Sequence, residues 1–272
     1  MPLLWDSKLQ ALLPPAATSL VSNQQRKLFA DWAAVSTAFP SLSYDCYVYN
    51  WLVVNTRTFY FTSPKIKARK PVNRDDCMAL NPFADYFNHA DVATASASFS
   101  PQGYAIAAEK DIKEGDEIYI SYGNYSNDFL LAEYGFVMEM NKWDEVPLDE
   151  FILPLFSETQ KRQLEETGFA AKYVLDGECV CYRTQLSLRL LCVPVNQWRR
   201  LVATGLEDRD KHQAAVDEIL LKVMGKFANS ADEKLDSIAA LDCGLASQRE
   251  TLRKRWNQVR LLIGKAIARI ES

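Results

Sequence analysis

The sequence predicts an α+β fold in which helices come first, short antiparallel strands follow, and a mostly helical region comes last. Three observations predict it. Apolar residues recur at helical spacing near the start, short alternating segments separated by turn residues begin near residue 95, and long amphipathic stretches return after residue 147. The chain of 272 residues can hold one large domain or two modest ones.

The first hundred residues are predicted to be helical and then irregular. Ser22 and Gln25 have the spacing of a capping box, which predicts the start of a helix that Pro40 ends. A second helix is expected from residue 44 to about residue 57. Residues 65–76 are charged and contain two prolines, so they are expected to form an exposed loop.

The next part of the chain has the pattern of short strands. Residues 96–100 and 104–108 flank a turn signal, and residues 118–122 alternate between apolar and polar side chains. Ser126 is expected to cap a short helix, which Gly135 ends.

The region after residue 147 is predicted to be mostly helical. A hairpin is expected around Asp176-Gly177, between residues 172–175 and 179–182. The last predicted helix carries an apolar stripe, and its lysines and arginines are interpreted as its solvated face. Four helices are expected here, over residues 185–191, 208–229, 232–241 and 247–270.

Composition excludes several classes of protein. A net charge of −4 gives no electrostatic reason to bind nucleic acid or an anionic membrane, and no apolar run approaches the roughly 18 residues that span a bilayer. The six cysteines lack zinc-ligand spacing, so we expect free thiols and no metal. Without a signal peptide, the expected location is the cytoplasm or nucleus, and the expected state is a monomer.

Two segments carry residues suited to methyl transfer. Residues 81–89 have the sequence NPFADYFNH, and residues 115–123 have the sequence GDEIYISYG, with YGF following at 134–136. In order and separation they resemble the Asn-His segment and the catalytic-tyrosine segment of SET-domain methyltransferases. The resemblance implies a protein methyltransferase whose cofactor is S-adenosylmethionine.

Further motifs resemble one branch, the Rubisco large-subunit methyltransferase-like group. That group also includes methyltransferases of ribosomal proteins and of actin histidine. The resemblance is carried by VNTRTF at 54–59, by Ser126-Asn127, and by EYGF at 133–136. It covers most of the chain, but beyond Val137 it depends on pattern rather than motif.

The resemblance implies a role for each matching residue. Tyr122 would be catalytic, because its hydroxyl can polarise a methyl group and orient an amine. Residues matching the cofactor-binding positions are Arg57, Asn88, His89 and Phe136. Residues matching the substrate-binding positions are Phe59, Asp85 and Tyr134.

Purely structural roles remain open at several of these positions. Taken alone, Tyr122 could be a core tyrosine, and Asn88-His89 could belong to a turn. Arg57 could form a structural salt bridge, since its guanidinium suits any carboxylate. Tyr134 and Phe136 could be core aromatics. Phe59 favours lysine as the acceptor, because the histidine-methylating member of the group has a polar amide at the matching position.

One feature departs from the family. SET domains begin with strands that carry a glycine turn close to the cofactor, whereas the first glycine here is Gly103. We therefore expect an incomplete SET domain at residues 1–146, with a helical insert at residues 1–60. A helical substrate-binding domain is expected at residues 147–272.

The function predicted from the resemblance is methyl transfer from S-adenosylmethionine to a lysine of a non-histone protein, with a ribosomal protein as one candidate. Two alternatives stay open. An inactive SET remnant could act as a protein-binding module, and the acceptor could be a histidine.

Overall fold

A computed structural model describes residues 1–61, 77–100, 103–205 and 209–272. These residues form two compact units. The middle unit consists of Ser22–Tyr125, and the composite unit combines Met1–Val21 with Ser126–Ser272. The domain boundary predicted at residues 146 and 147 stays a prediction, as does the predicted loop at residues 65–76, which lies outside the described residues.

The described chain contains ten α-helices and eight short strands. Within it, no helix is both long and apolar enough to cross a membrane. The helices are α1 (Ser7–Gln10), α2 (Pro15–Ala38), α3 (Tyr44–Arg57), α4 (Asn127–Tyr134), α5 (Asp149–Ile152), α6 (Glu158–Glu166), α7 (Tyr182–Arg189), α8 (Val195–Thr204), α9 (Arg209–Ala239) and α10 (Ala246–Ile270). The strands are β1 (Thr58–Tyr60), β2 (Met78–Leu80), β3 (Asn88–His89), β4 (Ala95–Ser100), β5 (Gly103–Ala108), β6 (Tyr119–Ile120), β7 (Glu145–Pro147) and β8 (Val174–Asp176).

The strands pair two by two. β1 with β2, β4 with β5, and β7 with β8 are antiparallel, whereas β3 and β6 are parallel. The α+β prediction is therefore confirmed, with one parallel pair that the sequence did not indicate. In the middle unit, five of the six β4 residues are exposed, so this unit buries little apolar surface on its sheets.

The hydrophobic core described for the chain lies in the composite unit. The long helices α9 and α10 pack against each other and against β8 and α7. Trp198 and Trp256 are almost completely buried there, and their indole N–H groups donate to the carbonyls of Leu186 and Leu12. The apolar stripe predicted on the last helix is therefore packing surface.

Arg255 corrects the prediction that the basic residues of this helix are solvated. Its side chain is 0% exposed, and its guanidinium bonds Asp128 at 2.6 Å and Asp144 at 2.7 Å. Burial lowers the pKa of Arg255, but the charges of the two aspartates outweigh burial and raise the pKa above its ordinary value. Arg255 therefore stays charged and joins α10 to the first turn of α4.

Two helix predictions were wrong in their bounds. α2 begins at Pro15 rather than after Ser22, because Pro15 suits a first helical position and the alanines that follow favour helix. α9 is one helix across the break predicted near residue 230, because Phe227 and Ala231 continue its buried face.

Two strand predictions were only partly correct. The strand predicted at residues 118–122 is limited to β6, because its partner β3 offers only two residues for pairing. At the predicted hairpin, Leu175 forms an antiparallel bridge with Val180, but β8 pairs mainly with β7.

Candidate active site

The parallel pairing of β3 and β6 brings the two motifs together. Asn88 lies opposite Tyr119 and His89 lies opposite Ile120. Beyond the pair, the Ala90 N–H donates to the Ile120 carbonyl at 3.2 Å. Residues that are about thirty positions apart in sequence are therefore neighbours in the middle unit.

Tyr122 follows β6 and contacts His89 in two ways. Its backbone N–H donates to Nδ1 of His89 at 3.1 Å. The two rings are stacked, with centroids 5.2 Å apart and an interplanar angle of 28°. Both the backbone and the ring of Tyr122 are thus positioned by one imidazole.

The hydroxyl of Tyr122 donates to the Phe87 carbonyl at 2.9 Å. Burial raises the pKa of Tyr122; the charge of Arg57 lowers it and that of Asp85 raises it. The phenol is therefore neutral at physiological pH. Because its proton is directed to Phe87, the lone pairs of the oxygen are oriented to accept hydrogen bonds.

Gly123 turns the chain directly after Tyr122, which lies just beyond the end of β6. Its φ of +143° is a conformation that residues with a side chain rarely adopt. A Cβ built at this position would lie 2.6 Å from Cε2 of Tyr125. Glycine is therefore required here both for the backbone conformation and for the close approach of the Tyr125 ring.

Glu117 is a site residue that the sequence did not reveal. Its carboxylate accepts hydrogen bonds of 2.7 Å from the Asn88 amide and from the Tyr119 hydroxyl. Both bonds lower the pKa of Glu117, with the bond from Tyr119 contributing most. The signal in the sequence was limited to the two-residue spacing of Glu117 and Tyr119, which puts side chains on the same side of an extended chain.

Arg57 and Asp85 are paired with each other. Nη1 of Arg57 lies 2.9 Å from Oδ1 of Asp85, and the two side chains are 51% and 36% exposed. α3 ends at Arg57, and Asp85 lies in the 3₁₀ turn Ala84–Tyr86. Their charges both act on Tyr122, so the pair lies close to the candidate catalytic residue.

Phe59 lies in an aromatic cluster of the middle unit. In β1 its ring centroid is 5.3 Å from that of Tyr104, which in turn lies 4.4 Å from Phe99. Phe61 also packs against Phe99, with ring centroids 5.6 Å apart. Burial raises the pKa of Tyr104.

Tyr134 and Phe136 belong to the composite unit. Their rings are 6.3 Å apart, on either side of Gly135. Gly135 ends α4 in the left-handed conformation, with φ 85°, as the sequence predicts. The structure therefore brings Tyr122, Asn88, His89, Arg57 and Asp85 into one region of the middle unit, and the roles expected for Tyr134 and Phe136 stay predictions.

Comparison with known proteins agrees with this geometry. Residues 13–123 match the SET domain family. The chain is 26% identical over 251 residues to the ribosomal lysine N-methyltransferase set11 of Schizosaccharomyces pombe, covering 88% of this chain and 63% of that protein. It is 26% identical to SET domain-containing protein 4 of Mus musculus, covering 77% of this chain and 50% of that protein.

A third relative is ribosomal lysine N-methyltransferase 2 of Saccharomyces cerevisiae, at 25% identity, covering 75% of this chain and 47% of that protein. The chain thus spans roughly half to just under two thirds of the length of these relatives.

Solved structures show the same fold. The SET domain of LSMT bound to lysine and AdoHcy superposes with a TM-score of 0.59 at 14% identity, over 99% of this chain and 67% of that chain. Rubisco LSMT bound to AdoMet superposes with a TM-score of 0.58 at 15% identity, over 99% of this chain and 66% of that chain. Residues 13–123 therefore match the SET domain model, and the fold of the chain is similar to that of Rubisco LSMT.

Proposed function

We propose that this chain transfers a methyl group from S-adenosylmethionine to the side-chain nitrogen of a lysine in a protein, with Tyr122 as its catalytic residue. One observation carries the proposal. The neutral hydroxyl of Tyr122 is oriented by Phe87, and its backbone is bonded to His89, at the point where the two motifs of a SET domain meet.

The side chains present fit the chemical groups of this cofactor. The Asn88 amide donates to Glu117 through its nitrogen, so its oxygen can accept from an ammonium group. Arg57 uses one nitrogen for Asp85, and the other donors of its guanidinium fork suit a carboxylate. We propose Arg57, Asn88, His89 and Phe136 as the residues that hold the cofactor.

The cofactor supplies an electrophilic methyl group on a sulfonium. The oxygen of Tyr122 can accept a hydrogen bond from the substrate amine, because its own proton is directed to Phe87. Holding that amine in line is mainly a positioning task. The amine must also be neutral, and a partly buried site disfavours its ammonium form.

We propose a lysine of a non-histone protein, with ribosomal proteins as the first candidates, as the acceptor. The names of the relatives from the two yeasts support this substrate class. Phe59 supports lysine over histidine, since it presents an aromatic ring rather than an amide. Asp85 and Tyr134 are proposed to line the entry of the amine. A ribosomal substrate would place the reaction in the cytoplasm or nucleus.

Calorimetric titration of the chain with S-adenosylmethionine, followed by mass spectrometry of a methylated ribosomal protein fraction, tests the proposal. We expect saturable binding and modified lysine. No heat at high micromolar cofactor would identify an inactive remnant. Modified histidine with unmodified lysine would instead identify a histidine methyltransferase.

A further inference from the structure

We propose that His89 is a positioning residue for Tyr122, and that its neutral imidazole fixes the catalytic tyrosine while its protonated form releases it. The inference deepens the proposed function and rests on it for its catalytic consequence. Its structural part concerns a hydrogen bond that can be measured in the protein without substrate or cofactor.

The hydrogen bond lies where the regular backbone pairing ends. The β3–β6 ladder stops at His89 and Ile120, so the Tyr122 N–H lies beyond the last strand residue. Nδ1 of His89 accepts this N–H. The stacked ring contact restrains the phenol as well. Loss of Nδ1 as an acceptor would therefore let the backbone of Tyr122 move. Because the backbone position determines where the hydroxyl lies, the hydroxyl would move with it.

The acceptor exists in only one protonation state. A neutral imidazole that accepts at Nδ1 carries its proton on Nε2, whereas a doubly protonated imidazole has no acceptor. Protonation would thus place two donors against each other at a separation of 3.1 Å. The neutral form is required for the contact.

Of the charged and titratable groups near His89, Asp91 acts on its charge, and the others are neutral or bonded to further partners. Ile120, opposite on β6, carries no charge. The charge of Asp91 raises the pKa of His89, whereas the stacked phenol of Tyr122 stays neutral. Glu117 accepts hydrogen bonds from Asn88 and Tyr119. Arg57 and Asp85 form a salt bridge with zero net charge.

Burial lowers the pKa of His89, which outweighs the upward effects of a hydrogen bond to the Ile120 backbone and of Asp91. His89 is therefore neutral at pH 7. The pKa of His89 is therefore lower in the folded protein than in the unfolded chain, where it has the ordinary histidine value of about 6.5. The stability that the neutral imidazole contributes is fully present above that ordinary value. It is lost as the pH falls through the pKa of the folded state.

Nuclear magnetic resonance tests the hydrogen bond directly. The chain has only two histidines, so a His212→Asn variant leaves His89 as the single imidazole. In nitrogen-15-labelled protein we expect a scalar coupling between the Tyr122 amide nitrogen and Nδ1 of His89. The coupling should disappear on acidification in step with protonation of that ring. Absence of the coupling at pH 7.5, or a proton on Nδ1 there, would overturn the proposal.

Two substitutions test the positioning role. In His89→Asn the amide oxygen can take the place of Nδ1 as a non-titrating acceptor, whereas His89→Leu removes the acceptor. We expect His89→Asn to retain protection of the Tyr122 amide from hydrogen exchange at both pH 7.5 and pH 5.5. His89→Leu should lose that protection at both. Equal protection in wild type and His89→Leu would contradict the proposal.

The catalytic consequence has its own readout. We expect His89→Leu to weaken the Kd for S-adenosylmethionine, because His89 is also proposed to hold the cofactor, and to lower kcat at saturating cofactor as well. His89→Asn should restore kcat. A weakened Kd with unchanged kcat at saturating cofactor would leave His89 as a cofactor ligand alone and overturn the positioning role. If the wild type transfers no methyl group, only the proposed function is refuted. The coupling and exchange experiments would still decide whether His89 positions Tyr122.

Discussion

The amide of Asn88 donates a hydrogen bond of 2.7 Å to the carboxylate of Glu117. The same carboxylate accepts from the hydroxyl of Tyr119, the residue opposite Asn88 in the β3–β6 pair. One acidic side chain thus fixes the orientation of the amide that is proposed to hold the cofactor.

Glu117→Ala should weaken binding of S-adenosylmethionine severalfold, because the Asn88 amide would lose the acceptor that orients it. Titration calorimetry measures the affinity, with Glu114→Ala as the control in the preceding turn. The lowered pKa of Glu117 keeps the carboxylate ionised throughout neutral pH, so the difference should persist between pH 6 and pH 8. Equal affinities of the two variants would show that the hydrogen bond between Asn88 and Glu117 does not affect binding of S-adenosylmethionine.

Tyr122→Phe should reduce the rate of methyl transfer by about 10²–10³-fold, the usual loss when one preorganised hydrogen-bonding group is removed from an active site. The bond to Phe87 is lost too, but the stacked ring remains, so the fold and cofactor affinity should be retained. Single-turnover kinetics measures the effect. Tyr49→Phe is the matched control, since Tyr49 is 69% exposed on α3. A rate within twofold of wild type would remove Tyr122 from the mechanism.

Gly123→Ala should destabilise the protein by about 1–3 kcal/mol, since the backbone conformation is unfavourable for alanine and the new Cβ would meet the Tyr125 ring. Thermal and urea unfolding measure the change. The control is Gly225→Ala in α9, where a Cβ meets nothing within 4 Å and alanine should stabilise by about 0.5–1 kcal/mol. A neutral Gly123→Ala would mean that this turn is easily rearranged.

Arg255→Met should destabilise the composite unit by about 3–5 kcal/mol, because it would leave the buried carboxylates of Asp128 and Asp144 without their partner. The control is Arg253→Met on the same helix, whose pair with Glu250 is more than half exposed and should change stability by less than about 1 kcal/mol. Urea unfolding distinguishes them. Similar losses for both variants would contradict the assigned role of the buried network.

The parts of the site that local sequence patterns predict are those encoded in contiguous motifs. Tyr122 before Gly123, and Asn88 before His89, are visible in the sequence, and the structure places the two pairs next to each other. Glu117 was not predicted as a site residue, because its partner depends on the parallel register of β3 and β6. That register is set by tertiary pairing and leaves no local signal.

Arg255 shows a second limit. An arginine on an amphipathic helix is usually solvated, and only the distant Asp128 and Asp144 make its burial favourable. The pairing of Arg57 with Asp85 likewise joins residues that are far apart in sequence and meet only in the folded protein. Each residue was predicted separately from its own motif, whereas their salt bridge depends on the end of α3 meeting the turn at Ala84–Tyr86.

The most direct measurement is tandem mass spectrometry of a ribosomal protein fraction incubated with S-adenosylmethionine that carries a deuterated methyl group, using wild-type protein and Tyr122→Phe in parallel. We predict that deuterated methyl accumulates on lysine with wild type and is strongly reduced with the variant. Equal labelling by the two proteins, or cofactor binding without any labelled lysine across acceptor fractions, would contradict catalysis by Tyr122.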